Sequence, residues 1–248
     1  MKVLVIVQAR MTSTRLPGKI MMEVCGKPLL EHQINRLKGV KTADEIVVAT
    51  TTNSIDNIII DLCKKLNISF HRGSENDVLG RYYETAIKYK GDIIVRITSD
   101  CPVIDPDVVD HIIDFYIKYK DKYDYVSNTL FRMYPRGMDT EVFSFKALKE
   151  THVEATKQMD REHVTSFIHQ QPQRYCLCNV PYDSDESHHR WTVDTQEDLE
   201  LVTKIFDSLF YVNPEFSLED ILDLVDKNQD WININKHITH KRYGEYNN

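Results

Sequence analysis

The chain has 248 residues, 42% apolar and 28% charged, with a formal net charge of -7. That length accommodates one large α/β domain or two small ones with a sizeable core. The acidic balance excludes a general nucleic-acid surface, which needs a basic face, so any cationic site must be local. The five cysteines, Cys25, Cys63, Cys101, Cys176 and Cys178, form no C-x-x-C pair and read as reduced thiols, with Cys101 as packing. No signal peptide or membrane span is visible, since the longest apolar run near the start is Val3 to Val7, and a cytoplasmic protein without a membrane partner is expected.

The first half alternates between strand and helix patterns. KVLVIVQ is a continuous apolar run of strand length, as expected for a strand covered on both faces. PLLEHQINRLKGV reads as a helix, with Pro28 in its first turn and Gly39 near its end. DEIVVAT is a second buried strand, and SIDNIIIDLCKKLN a helix with Ser54 as its cap. ISFHRG, NDVLGRYYETAIKYK, DIIVRITSD and PDVVDHIIDFYIKYK continue as strand, helix, strand and helix. This alternation predicts βαβ units and a mostly parallel sheet.

The pattern then loosens. YDYVSN and TEVFSF read as strands, DREHVTSFIHQ as one helix and RYCLCNV as a strand. Residues 130–190 therefore read as an inserted subdomain within a single domain spanning 1–248. SHHRWTVDTQEDLELVTKIFDSLF returns to strand and helix, and SLEDILDLVDKN adds a last helix capped by Ser217. The tail from Lys241 is expected to fray.

Ligands of open parallel sheets sit at the carboxyl ends of the strands. Three stretches reach that edge. The first, QARMTSTRLPGKIM, carries Arg10, Arg15 and Lys19, three hydroxyls and no acid. It matches neither the Walker A loop nor the dinucleotide fingerprint, yet such a cluster suits phosphate binding. The second is Asp100, just past a buried strand and placed for a divalent metal, whereas Asp105 before Pro106 reads as a helix cap. The third is Asp194, for which a helix cap and a metal ligand are equally good readings.

Arg136, Asp139 and Glu141 form either the wall of a polar pocket or a turn with a surface ion pair. Arg161, Glu162 and His163 open a helix, where a salt bridge competes with an anion-binding role for Arg161. His188 and His189 are adjacent on an expected strand, where neighbours point to opposite faces and do not share a metal.

Taken in order, VQARMTSTRLPGKIM, VRITSDCPVIDP and WTVDTQEDLELV resemble the motifs of cytidylyltransferases that make CMP-activated acidic sugars, the CMP-KDO and CMP-sialate synthetases. GSENDVLGRYYETA, YPRGMDTEVF and REHVTSFI are similar to the spore-coat polysaccharide branch of that family. The resemblance implies the nucleotide-diphospho-sugar transferase fold, a Rossmann-like α/β sheet with a protruding region for sugar binding and homodimerisation. It implies CTP and an acidic sugar as ligands, and Mg2+ as the ion. Arg10, Arg15 and Lys19 would hold the phosphates, with Ala9 by the base and Arg81 a further nucleotide contact. Asp100 would ligate Mg2+, and Asp194 would join it or hold a second ion; Arg10, Lys19 and Asp100 would carry catalysis. Arg136, Asp139, Glu141, Arg161 and His163 would face the sugar, and one of Arg132, Arg136, Arg161 and Arg190 would read its carboxylate. KDO-type members carry a QGDEP-like segment where this chain has TSDCP, so Cys101 replaces their acid and the sugar is left open. Competing readings are transfer to a sugar phosphate or phosphonate, a glycosyltransferase, and a non-catalytic nucleotide-binding protein.

Overall fold

A computed structural model describes residues 1–239, and the tail from Lys241 lies outside them. In chain order the strands are β1 (Val3–Gln8), β2 (Glu23–Val24), β3 (Lys27–Pro28), β4 (Glu45–Thr51), β5 (Ser69–Gly73), β6 (Ile93–Thr98), β7 (Tyr125–Ser127), β8 (Glu141–Ser144) and β9 (Leu177–Asn179). The helices are α1 (Leu29–Leu37), α2 (Asn57–Lys65), α3 (Val78–Tyr89), α4 (Pro106–Tyr119) and α5 (Phe145–Glu154). They continue with α6 (Gln158–His163), α7 (Ser166–His169), α8 (Gln196–Leu209), α9 (Leu218–Lys227) and α10 (Ile232–Asn235).

Seven strands form one sheet in the order β5-β4-β1-β6-β8-β7-β9, while β2 and β3 form a separate hairpin. The pairs β4–β5, β1–β4 and β1–β6 are parallel, β8 runs antiparallel to both β6 and β7, and β9 is parallel to β7. The mostly parallel α/β expectation is met. The segment 130–190 contributes β8, β9 and the helices between them to the far side of this sheet.

Strand alternation divides the core into two layers. Val3, Val5 and Val7 pack with Leu30, Ile34, Ile59 and Ile112 on one face, and Leu4 and Ile6 pack with Leu79, Tyr82 and Leu148 on the other. A third cluster joins Trp191 to Leu201, Val202, Ile205 and Phe206 of α8 and to Phe216 and Ile221 of α9. Each fully buried side chain of this kind stabilises by about 1.5–3 kcal/mol, so this layer fixes the segment bearing Asp194 against the sheet. Among the described residues no helix is long and apolar enough to cross a membrane.

Three local expectations change. Ser54 does not cap α2: a single 3-10 turn, Ser54–Asp56, precedes it, and Asp56 instead accepts hydrogen bonds from Met11 N (2.8 Å) and the Thr51 hydroxyl. The expected helix across Asp160–Gln170 is broken into α6 and α7 at Val164. The strand expected at 188–191 reduces to one parallel bridge between Arg136 and Arg190. His188 sits in a turn, and the two histidine rings lie 4.0 Å apart, so they do not face opposite ways.

Asp105 caps α4 as expected. Its carboxylate accepts from Asp107 N at 2.8 Å and also from Leu218 N at 2.5 Å, tying α4 to the start of α9. Asp105→Ala removes both acceptors, and we expect a loss of about 1–3 kcal/mol in urea unfolding at unchanged m-value. A loss below about 0.5 kcal/mol, the range of neutral surface changes, would contradict this role.

Candidate active site

The carboxyl ends of β1 and β6 lie side by side, and the loop after each opens onto one cleft. The loop after β1 is folded back by a backbone bond from Gly18 N to Met11 O of 2.9 Å. Gly18 adopts φ +71°, a left-handed conformation that glycine takes without steric cost, and so starts the 3-10 turn Lys19–Met21. That turn buries Lys19 and aims its ammonium across the cleft. Lys19 Nζ donates to Val193 O (2.6 Å) and Asp194 Oδ1 (2.8 Å), and lies 3.8 Å from Asp100 Oδ2.

Asp194 is the charge centre of the site. Besides Lys19 it receives Arg15 Nη2 and Arg190 Nη2, each at 2.8 Å from Oδ2. Burial pushes its carboxyl up, but the three cations outweigh burial, Lys19 foremost, and hold it down at about 2. The cap reading of Asp194 is resolved: Thr195 caps α8 in a capping box with Asp198. Asp198 holds Arg190 through bonds of 2.8 and 3.0 Å and accepts from Asp194 N at 2.9 Å, fixing the segment that carries Asp194. Asp100 is pinned by its backbone, since its carbonyl accepts from Val193 N (2.8 Å) and the Thr192 hydroxyl (3.1 Å).

The first loop lacks acids in sequence, but the fold supplies them. Arg10 Nη1 lies 3.7 Å from Glu75 Oε1, and Glu75 also accepts from the Thr12 hydroxyl and the Asn53 amide. Arg81 is 1% exposed; its Nη1 donates to Ser74 O at 2.9 Å and its Nε has no hydrogen-bond partner. Among the described residues it has no carboxylate within 4.0 Å.

Two cavities meet here. One, of about 430 Å³, is lined by Gln8, Ala9, Arg10, Ser13, Lys19 and Arg81 among others. The second, of about 500 Å³, is lined by Arg136, Asp139, Glu141, Thr165, His169 and Gln170 among others. Arg15, Arg96, Thr98, Asp100, His163 and Asp194 belong to both walls. Arg136, Asp139, Glu141 and His163 thus lie together at the second cavity.

Arg161 does not line either cavity. It clamps Asp77, the N-cap of α3, through Nε (2.9 Å) and Nη2 (2.5 Å), and donates to His152 O. Arg132 is bidentate on Asp139, at 2.6 and 2.7 Å. Burial raises the Asp139 and Glu141 carboxyls, but Arg132 and Arg96 respectively outweigh it and hold both below the usual range.

Two backbone features that sequence reasoning missed shape this second cavity. Val164 has φ +61° and ψ -57°, and Thr165 N donates to His163 O at 2.6 Å, a γ-turn of the rarer, strained hand on a β-branched residue. Gly137 has φ +113°, and a Cβ there would stand 3.0 Å from the Trp191 carbonyl carbon, so the close approach of the Arg136 and Arg190 segments requires glycine. The glycine is visible in the sequence, but its crowding partner is 54 positions away and is not. Arg96, which pairs with Glu141 across β6 and β8, was likewise passed over as part of a buried strand.

A cytidylyltransferase family model matches residues 4–236. The chain belongs to the cytidylyltransferase family. Its activity is CTP-dependent nucleotidyl transfer. The cytidylyltransferase is 35% identical to the protein MJ1063 of Methanocaldococcus jannaschii, over 99% of both chains. It is 30% identical to the spore coat polysaccharide biosynthesis protein SpsF of Bacillus subtilis, over 92% of this chain and 95% of that one. Its structure superposes on a cytidylyltransferase from Leptospira borgpetersenii with a TM-score of 0.91 at 33% identity, covering 98% of this chain and 100% of the other.

Burial lowers His163 and His169 from the ordinary value of 6.5, with nearby Arg96 adding to the effect on both. Both are therefore neutral at pH 7 and disfavour protonation in the folded state. The unfolded chain then takes up protons first as pH falls, so stability is full above 6.5 and declines below it. Urea midpoints should be flat from about pH 8 to 7 and then fall, each histidine adding up to about 1.4 kcal/mol per pH unit. His169→Gln should flatten part of that slope; an unaltered slope would remove His169 from the account.

Proposed function

We propose that the cytidylyltransferase transfers CMP from CTP to a hydroxyl of an acidic sugar of the KDO, sialate or nonulosonate type, releasing pyrophosphate, in surface polysaccharide biosynthesis. The observation that carries this reading is the shared wall of Arg15, Arg96, Asp100, His163 and Asp194 between two cavities, one rich in loop cations and one in mixed polar groups. A nucleotide in the first and an acceptor in the second would meet at that wall. SpsF supports the polysaccharide setting. The use of CTP gives the expectation of a cytoplasmic enzyme, and the resemblance to acidic-sugar synthetases that of a homodimer.

In this reading the acceptor oxygen bonds to the α-phosphorus, the bond to the α–β bridging oxygen breaks, and pyrophosphate leaves. Arg10, Arg15 and Lys19 hold the phosphates, and Arg81 brings a buried cation to the same cavity. Ala9 packs by the base, and Gln8 Oε1, buried without a partner, is an acceptor for an exocyclic amino group, which favours cytosine over uracil. His163, held neutral, stands in the shared wall to take the hydroxyl proton. The protein's contribution is positioning and charge rather than covalent catalysis.

The donor set fits a hard divalent cation. Asp100 and Asp194 present carboxylate oxygens toward one point, the Lys19 ammonium, which marks where positive charge is stabilised. Asp100 and Asp194 would hold Mg2+. When bound, such an ion supplies charge neutralisation to phosphate oxygens. Of the four arginines considered for the sugar carboxylate, Arg136 lines the acceptor cavity, whereas Arg132, Arg161 and Arg190 are not among its lining residues. We therefore assign the carboxylate to Arg136, with Asp139 and Glu141 shaping the pocket around it.

The deciding experiment measures pyrophosphate release with Mg2+ and each of CTP, UTP, GTP and ATP, against 3-deoxy-ulosonic and nonulosonic acids, sugar phosphates and phosphonates. Release with CTP and an acidic sugar alone is expected; release with a sugar phosphate or phosphonate instead would replace the acceptor. Asp100→Asn should lower kcat by about a hundredfold or more, given the several kcal/mol at stake, with unchanged thermal stability. A folded, fully active variant would sink the metal assignment. Gln8→Leu should cut the preference for CTP over UTP by roughly tenfold, the worth of one hydrogen bond, and an unchanged preference would free Gln8 of that role.

A further inference from the structure

The turn before Arg190 carries a group of side chains that the nucleotidyl-transfer site does not use. Glu186, His188 and His189 place one ligand-type atom each within 4.8 Å of one another. His189 is 8% exposed, with its ring 5.4 Å from that of Trp191 and 4.0 Å from that of His188. Its Nε2 lies 3.5 Å from Glu186 Oε2. The backbone fixes this arrangement: His189 N donates to Glu186 O (3.1 Å), Glu186 N to Met133 O (2.8 Å) and Arg136 N to His189 O (3.0 Å).

We propose that Glu186, His188 and His189 form a second cation site, selective for zinc-class transition metals, that clamps this turn. Two imidazoles and one carboxylate are a borderline donor set that suits Zn2+ or Co2+, whereas Mg2+ demands oxygens. Donors about 2.1 Å from a tetrahedral ion stand about 3.4 Å apart, so the three must close by roughly an ångström. The exposed His188 and the half-buried Glu186 have the freedom to do so, while His189 is the anchored member. Further negative charge surrounds the site, with Asp185 beside His188 and Asp226 beside His189. The histidines also edge a cavity of about 330 Å³, lined by Trp191, Asp226, Gln229 and Trp231 among others, which shares no residue with the two catalytic cavities. That leaves room for a water or small ligand to complete the coordination.

The position gives the clamp a consequence. Arg190 follows directly and holds Asp194, and Arg136 is bonded to the turn through both His189 O and Trp191 N. An ion here therefore stiffens the wall behind the acceptor cavity without entering it.

The test titrates Zn2+ and Co2+ into the full-length, tag-free protein in millimolar Mg2+, which occupies oxygen-only sites. One equivalent should bind at micromolar or lower concentration, raise the melting temperature, and give Co2+ the intense visible absorption of a nitrogen-ligated, low-coordinate ion. His188→Ala and, separately, Glu186→Gln should each weaken binding at least tenfold while the metal-free melting temperature stays unchanged. Cys176→Ser with Cys178→Ser should leave binding intact. The proposal is overturned if no equivalent binds, if His188→Ala binds as well as the parent, or if the serine pair abolishes binding. These readouts require no turnover, so they stand apart from the acceptor assignment.

Discussion

A buried carboxylate held by three cations organises this protein. Asp194 is gripped by Lys19 and Arg15 from the first loop and by Arg190 from its own segment. The Lys19 contact spans 175 residues, so it joins the loop after β1 to the segment before α8 at one point of the sheet edge. Buried ion pairs are weak sources of net stability, because desolvation offsets their attraction, but removing one partner strands a charge at a cost of about 3–5 kcal/mol. Here the network's value lies in placement. With Glu75 beside Arg10, it keeps Arg10, Arg15 and Lys19 oriented at the cleft. In the proposed reading a triphosphate would compete with carboxylates already in position, and the cations would reorient over short distances.

The second cavity is built on strain and crowding instead. The γ-turn at Val164 separates α6 from α7 and places His163 at the wall common to both cavities. Unfavourable backbone of this kind costs about 1–3 kcal/mol and persists only where packing over-determines it. Val164 is 1% exposed, which supplies that packing. Gly137 solves the opposite problem, letting two backbones approach where a side chain would not fit.

How much was legible follows from the range of each interaction. The strands β1, β4 and β6 were readable because a strand covered on both faces must be continuously apolar, and Asp105-Pro106 because capping is local. The cluster of Arg10, Arg15 and Lys19 was readable as a cationic loop. Its partners were not, since Glu75 and Asp194 reach it only through the fold. The break at Val164 carries no Gly or Pro to announce it, and the helical periodicity runs straight through. The pairing of Arg161 with Asp77 crosses 84 positions, so an arginine beside the site in sequence terms proved to be a brace for α3. His188 and His189 were misjudged because the strand pattern was assumed to continue into a segment that turns.

The placement of β6 has a further consequence for how such enzymes diversify. To one side of it lie β1, β4 and β5, with the loop that carries Arg10, Arg15 and Lys19; to the other lie β8, β7 and β9, with Arg136, Asp139 and Glu141. The polypeptide crosses that divide after β6 and returns just before Arg190. Everything between is contiguous in sequence, and it is tied to the remainder by the β6–β8 pairing, the Arg136–Arg190 bridge, the Asp100–Val193 bond, the Asp105–Leu218 bond and the Arg161–Asp77 clamp. In the proposed reading the acceptor walls are therefore mechanically joined to the nucleotide side, and a change of acceptor has to keep Asp100 and the partners of these contacts in place.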